Sequence, residues 1–181
     1  MNRIDAALQQ LSVLGAEGLE HPTGDLLQHF RATFEQLQAW DEDEAVCWAG
    51  LYHAVYGTET FMPKLMTLEL RAEVAGIIGG QAEAHVYFFC ACDRAFFARR
   101  LVRDDQPSYR DRFSSTIFQP TFEQIHAFCA LTVANEIDVS ANDREGYLEK
   151  YGHYVLPLFR SPRFQRYLGP RALADCKLVF E

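Results

Sequence analysis

Residues 45–58 read AVCWAGLYHAVYGT and place a single histidine, His53, in a run that is apolar on nearly every face. A helix that is apolar all round lies buried at the centre of a domain. Gly57 is expected to end this helix, since glycine readily adopts the left-handed conformation common after a helix. Burying an imidazole costs free energy unless it is hydrogen-bonded or holds a ligand. The run therefore predicts a central helix that carries a candidate functional group near its end.

The sequence on both sides of this run also has helical periodicity. Apolar residues in 26–40 recur at helical spacing, with His29 at the edge of the apolar stripe. Residues 81–102 predict one long, aromatic-rich helix that contains Asp93. Residues 103–115 are charged and polar, and they predict a surface loop or a mobile lid. Helix is therefore the predicted state of most of the chain.

Capping signals mark where the later helices begin. Thr121 and Gln124 have the spacing of a capping box, which opens a helix through Val139. Asn142 and Glu145 have the same spacing ahead of another helical segment. No alternating pattern typical of a strand is present. The predicted fold class is all-α, with about seven helices in one compact domain that covers the whole chain.

Composition and charge narrow the class of protein. The 181 residues are 49% hydrophobic, enough for a packed core, and the formal net charge is −8. An acidic chain repels phosphate backbones, so no nucleic-acid partner is expected. The five cysteines, an odd number found mostly in apolar runs, predict reduced thiols. Without an apolar run typical of a signal peptide or membrane span, we expect a cytoplasmic protein with no membrane contact.

Four of the predicted helices each carry one polar group among apolar neighbours. These groups are His29, His53, Asp93 and Asn135. Helix bundles build interior sites from side chains on facing helices, so the four groups can meet in one pocket. The alternative is that each is a separately hydrogen-bonded core residue. Convergence is the hypothesis we favour, because the four lie on successive helices.

Three segments together resemble the HD-domain superfamily of metal-dependent phosphohydrolases. They are LLQHFRATFEQLQAW (26–40), AVCWAGLYHAVYGTE (45–59) and AFCALTVANEID (127–138). His29 matches the first family histidine, His53 the histidine of the His-Asp pair, and Asn135 the final aspartate. The resemblance covers about residues 20–140 and implies an HD-like helical core there. Residues 141–181 would then form a C-terminal helical extension.

The chain departs from the family pattern at its carboxylates. Ala54 follows His53 where the family has aspartate, and Asn135 replaces the final aspartate. A divalent metal on two imidazoles and one amide lacks the anionic ligands that usually hold it. The chain most resembles a divergent HD-like branch with His-Ala in place of His-Asp. The resemblance therefore supports the fold more strongly than it supports hydrolase activity.

Carboxylates elsewhere in the chain are candidates to replace the missing ones. His29, His53 and Asp93 would form a two-histidine, one-carboxylate metal set suited to iron, manganese or zinc. Glu59 is a second candidate carboxylate. The alternative for Asp93 is an ion pair with an arginine, such as Arg94, that ties helices together.

The same pocket also has chemistry that needs no metal. Its histidines titrate near neutrality and can act as acid or base. Asn135, Tyr56 and Thr58 are candidate ligand-binding residues, and His21, at a helix entrance, is a candidate cover for the pocket mouth. Glu136 is expected to point about 100° away from Asn135 around the helix, and so not to share its direction.

These observations give a first function hypothesis and two alternatives. The first is an atypical HD-fold enzyme, a hydrolase or oxygenase, acting on a small metabolite. His29, His53 and Asp93 are its catalytic candidates, with or without one divalent metal. The second is a catalytically silent HD-like module that binds a small molecule or a protein. The third, a retained phosphohydrolase, is disfavoured by the missing acids. Apolar residues exposed on the first or last helix would mark a homodimer surface.

Overall fold

The computed structural model describes residues 3–21 and 24–181, without the side chains of residues 18, 20 and 21. The all-α fold class is confirmed, but the described part of the chain forms ten α-helices rather than about seven. The helices are α1 Arg3–Val13, α2 Leu26–Ala39, α3 Glu44–Tyr52, α4 Arg71–Ile78, α5 Gly80–Cys90, α6 Arg94–Arg103, α7 Phe122–Ser140, α8 Arg144–Phe159, α9 Pro162–Gln165 and α10 Pro170–Phe180. Short 3-10 helices lie at Ala16–Gly18 and Leu68–Leu70.

Four helices, α2, α3, α5 and α7, pack on one another at the centre. Every residue of α3 from Val46 to Tyr52 is buried, as its apolar sequence predicts. The helix ends at Tyr52, earlier than predicted, and His53 is its C-cap. The chain then turns to Gly57, whose φ is 72°. A Cβ at Gly57 would lie 3.1 Å from the carbonyl oxygens of Met62 and Pro63, so glycine is needed there.

The long helix predicted over residues 81–102 is broken in the structure into α5 and α6. Asp93 caps α6 by accepting a hydrogen bond from the backbone N–H of Phe96. Residues 110–112 pair with the break: the Asp93 N–H donates to the Arg110 carbonyl, and the Arg112 N–H donates to the Ala91 carbonyl. This pairing is a tertiary contact, which explains why helical periodicity continues through a segment that is not one helix.

Residues 103–118 are anchored to the core rather than folded as an open lid. The strands β3 Tyr109–Arg110 and β4 Ile117–Phe118 form a short antiparallel hairpin, like the strands β1 Glu20–His21 and β2 Gly24–Asp25. The buried Tyr109 hydroxyl donates to the Phe88 carbonyl of α5. Arg112 donates to the carbonyls of Cys90 and Gly57. The hairpin therefore fixes the end of α5 and the turn that follows α3.

The last three helices join the same core. α8 and α10 pack against α7, and Val155, Phe159 and Phe180 are buried in the common hydrophobic cluster. The capping box of Thr121 and Gln124 at the start of α7 is confirmed. The second box is wrong by one residue: α8 is capped by Asp143, which accepts from the backbone N–H of Gly146.

The cysteines are free and buried, in agreement with the predicted reduced thiols. Burial raises the pKa of the Cys90 thiol to about 12 and that of the neighbouring Cys92 thiol still further. A thiolate metal site at this pair is therefore disfavoured at neutral pH.

Two findings concern the surface. In the ranges that the structure describes, no helix combines the length and the apolar character needed to cross a membrane. The first and last helices each expose a large apolar residue, Val13 at 81% and Leu178 at 80%. A homodimer through such residues stays a prediction.

His126 connects α7 to two other parts of the chain. Its Nε2 lies 2.6 Å from a carboxylate oxygen of Glu42, and its Nδ1 lies 2.7 Å from the Tyr167 carbonyl oxygen. The hydrogen bond to Glu42 raises the pKa of His126, and the charge of Asp43 adds to this effect. The charge of His126 in turn lowers the pKa of nearby His85, which burial lowers first. A raised folded-state pKa stabilises the protein fully below the unfolded value of about 6.5, and this stabilisation is lost as pH rises through the folded value.

We expect His126→Gln to destabilise the protein more at low pH than at high pH. The difference in unfolding free energy between wild type and variant should be larger at about pH 6 than at about pH 8.5, by on the order of 1 kcal/mol. Urea unfolding at the two pH values measures it. Equal differences at both would show that the Glu42 contact contributes no linked protonation.

Candidate functional site

Three of the four predicted polar residues meet at the centre of the helix bundle. The Nε2 atoms of His29 on α2 and His53 at the end of α3 lie 3.2 Å apart. Asn135 on α7 places its Oδ1 at 3.1 Å from each of these nitrogens. The histidines are 1% and 2% exposed. The three atoms therefore form a compact triangle of nitrogen and oxygen donors inside the core.

The Nδ1 atom of each imidazole, on the side of the ring away from the triangle, is hydrogen-bonded to a protein oxygen. His29 Nδ1 lies 2.6 Å from a carboxylate oxygen of Asp138, one turn beyond Asn135 on α7. His53 Nδ1 lies 2.7 Å from the Gly50 carbonyl oxygen. Each Nδ1 therefore carries the proton, and in the neutral ring Nε2 presents a lone pair. The Asn135 amide nitrogen donates to Glu136, which turns Oδ1 toward the histidines.

A shared proton or a metal cation could hold the two Nε2 atoms and the Asn135 Oδ1 at these distances. The carboxylate of Asp138 orients His29, as second-shell groups orient ligating histidines in metal sites, but none of the three facing atoms is anionic. Two ligand atoms about 2.1 Å from one cation lie roughly 3.0–3.4 Å apart, which matches the spacing of the triangle. Among the described residues no three His, Cys, Asp or Glu side chains form a metal-holding group. The Asn135 amide would therefore have to serve as the third ligand.

Aromatic rings surround this polar centre. The ring of His53 is edge-on to Phe30 at 5.3 Å and to Phe89 at 5.6 Å between centroids. The Cys90 thiol donates to the His53 backbone carbonyl. Packing of this kind fixes the orientation of the imidazole and excludes water around it.

A cavity of about 160 Å³ opens beside the centre, and His53 and Asn135 form part of its wall. Its apolar and aromatic walls come from α5, α7, α8 and the turn after α3. They consist of Phe61, Phe89, Val139, Tyr151, Tyr154 and Val155. A small cavity with apolar walls and a few polar groups is the usual form of a small-molecule site.

Further polar groups at this cavity are Arg94, Glu136 and Tyr147. The Tyr147 hydroxyl donates to the Glu136 carboxyl group. Burial raises the pKa of Glu136, while the Tyr147 hydrogen bond and the charge of Arg94 act in the opposite direction. Glu136 therefore lines the cavity together with Asn135. The cavity extends along α7 far enough for a side chain of this length, adjacent to Asn135, to reach it.

Asp93 lies elsewhere, despite its predicted catalytic and metal-binding role with His29 and His53. One carboxylate oxygen accepts from the Phe96 N–H, and the other lies 3.3 Å from Arg110. The helix break places Asp93 at the cap of α6, where it has the arginine partner foreseen as the alternative. That partner is Arg110 rather than Arg94. Glu59, the other candidate carboxylate, accepts the backbone N–H of Arg94.

The remaining ligand-binding candidates have separate positions. The buried Tyr56 hydroxyl donates to Glu83, which also pairs with Arg71, so Tyr56 is committed to a structural network. Thr58 lines the cavity, but its hydroxyl oxygen accepts the Phe61 N–H. The side chain of His21 lies outside the described part of the chain.

Sequence reasoning missed Arg94, Asp138, Tyr147 and the role of Glu136. A signal for Asp138 was present, because residues three apart on a helix share a face with each other. Asp138 is three residues after Asn135. Arg94 had no such signal, since its position depends on the break before α6.

The comparisons with known proteins match one part of the chain. Residues 10–94 match a family model described as a domain of unknown function, DUF6817. The matched segment contains His29 and His53 and ends before Asn135. No curated protein and no solved structure matches the chain.

Proposed function

We propose that the protein is an atypical HD-like enzyme that acts on a small metabolite in the 160 Å³ cavity. The observation that carries this proposal is the convergence of His29 Nε2, His53 Nε2 and Asn135 Oδ1 at 3.1–3.2 Å beside that cavity. Burying two imidazoles and an amide together costs free energy unless the cluster is hydrogen-bonded or holds a ligand. Buried polar constellations in a cleft are commonly functional.

The centre is proposed to hold one divalent cation, iron, manganese or zinc, on those three atoms. Bound there, the cation would act as a Lewis acid toward a substrate oxygen. Asp138 positions His29 through Nδ1, and the Gly50 carbonyl positions His53. His53 and Asn135 reach the cavity wall, whereas His29 lies behind them.

Glu136 and Tyr147 are the proposed proton-transfer groups. They share a hydrogen bond at the cavity wall. Burial raises the pKa of Glu136 above its ordinary value, which favours a carboxyl group that can donate a proton.

The second candidate function is a binding module without catalysis. It is favoured by the neutral residues Ala54 and Asn135 at the positions where the HD pattern has aspartate. In that case one proton would satisfy the centre: an imidazolium at His29 would donate to Asp138 and toward Asn135. The cavity would still accept a small molecule.

Metal content separates the two candidates. We expect about one equivalent of iron, manganese or zinc in the untagged wild-type protein, and less than about a tenth of that in His53→Ala, because one ligand is removed. Elemental analysis after reconstitution measures both. His153→Ala is the matched control, since His153 is exposed on α8 and should leave the metal content unchanged.

Absence of metal in the reconstituted wild type would favour the binding module. Equal metal content in wild type and His53→Ala would place the metal elsewhere and reject the proposed centre.

A further inference from the structure

Arg94 enters the cavity because of the break between α5 and α6. It is the first residue of α6, and its backbone N–H is held by Glu59 at 2.6 Å. The guanidinium lies over the ring of Phe89, 4.6 Å from its centroid. The same ring packs against His53. The Arg94 guanidinium and the His53 ring therefore both contact Phe89, which forms part of the cavity wall.

The Nε atom of Arg94 is buried and has no hydrogen-bond partner among the described residues. Buried donors in folded proteins are almost always paired, and an exception needs an explanation. Within the same ranges the guanidinium is in no ion pair. Glu136, the carboxyl group on the cavity wall, is already engaged by Tyr147 and Asn135. A ligand carboxylate in the cavity that Arg94 lines would give the guanidinium the anionic partner that it lacks among the described residues.

The remaining walls restrict what this ligand can be. Arg94 is the one cationic side chain among the described residues that line the cavity. A dianion such as phosphate would face Glu136 with a single positive partner, whereas a carboxylate needs one guanidinium. The volume of about 160 Å³ is close to that of an engineered apolar cavity that binds benzene, about 150 Å³. The ligand body is therefore apolar and about the size of one ring.

We propose that the cavity binds a small monocarboxylate with an apolar body, whose carboxylate pairs with Arg94. This inference names the ligand class of the proposed enzyme and depends on that proposal for the identity of the cavity. Phe61, Phe89 and Val139 contact the apolar body, and the carboxylate pairs with the Arg94 guanidinium.

Benzoate is the test probe, and benzamide is its neutral isostere. Calorimetric titrations of the full chain are run with a chelator present, so that no metal can bind the carboxylate. We expect benzoate to bind at least about tenfold more tightly than benzamide or inorganic phosphate, because charge-assisted hydrogen bonds are the stronger ones. Arg94→Gln should weaken benzoate by at least about tenfold. Arg99→Gln, an exposed arginine on the same helix, should leave it unchanged.

Benzamide binding as tightly as benzoate would overturn the proposal with no variant involved. So would phosphate binding more tightly than benzoate, or unchanged benzoate affinity in a folded Arg94→Gln. Failure here is separable from failure of the proposed function. Metal that depends on His53 without benzoate binding rejects the carboxylate alone. Benzoate binding by a protein that takes up no metal on reconstitution rejects the metal centre alone.

Discussion

Asn135→Asp is expected to raise the affinity of the centre for a divalent cation by on the order of 100-fold, since ligand charge strongly tunes cation affinity. The Asn135 Oδ1 already lies 3.1 Å from both imidazole nitrogens. An aspartate has the same shape, so it replaces a neutral oxygen ligand with an anionic one at the same point. The proposed centre has no anionic ligand of its own, because Asp138 contacts only the outer nitrogen of His29.

The measurement is competition with a coloured chelator for zinc, in wild type and variant. Asn135→Ala is the matched control, because it removes the oxygen donor and should lower the affinity. Asn135→Asp also loses the amide donor to Glu136, so circular dichroism must show that the variant is folded. Zinc affinity that is the same for asparagine, aspartate and alanine would show that residue 135 does not contact a cation.

The sequence predicts the residues of this centre because apolar neighbours along the chain indicate that a polar residue is buried. His29, His53 and Asn135 each lie in a segment whose neighbours are apolar, and such segments pack together. The periodicity of a helix predicts which face is buried, but not which other elements pack against that face. Asp93 has the same apolar context, yet it lies at a helix cap, because residues 110–112 pair with the chain at that point. A tertiary contact thus keeps Asp93, one of the four predicted residues, away from the site.

The all-α class is predictable for a similar reason, whereas the number of helices is not. Helical periodicity continues from α5 into α6. The break between them depends on the hairpin of residues 109–118, so the local sequence does not predict it. The helix α3 also ends earlier than its periodicity predicts. His53 donates back to the Gly50 carbonyl and turns its ring toward α2 and α7. Boundaries set by side-chain capping, such as Thr121 with Gln124, were predictable because both partners are close in sequence.

Stability measurements can test whether the C-terminal helices fold together with the rest of the chain. The resemblance to the HD pattern ends near residue 140, which suggests a core with an appended extension. In the structure, α8 supplies Tyr147, Tyr151 and Tyr154 to the cavity wall. Phe159, at the end of α8, is 1% exposed and packs against Phe164 and Phe180 at 5.4 and 4.7 Å between centroids.

We expect Phe159→Ala to lower the free energy of unfolding by about 3–5 kcal/mol, the usual cost of truncating a buried phenylalanine. The loss should appear in a single transition that includes the N-terminal helices. Trp48 reports on those helices, since its indole donates to Glu44 and it stacks with Arg3. The chain has two tryptophans, and Trp40 donates to Asp175 on α10. The experiment therefore uses a Trp40→Phe background, in which fluorescence follows Trp48 alone.

Urea unfolding is followed by Trp48 fluorescence and by circular dichroism in the same samples. Phe122→Ala is the matched control: Phe122 is 62% exposed, so its loss should change stability by less than about 0.5 kcal/mol. If Phe159→Ala shifts both signals to the same lower midpoint, residues 141–181 fold with the site as one cooperative unit. A Trp48 midpoint that stays fixed while circular dichroism shows a separate early transition would make α8–α10 an independent unit. The cavity would then open whenever that unit unfolds, because one of its walls belongs to α8.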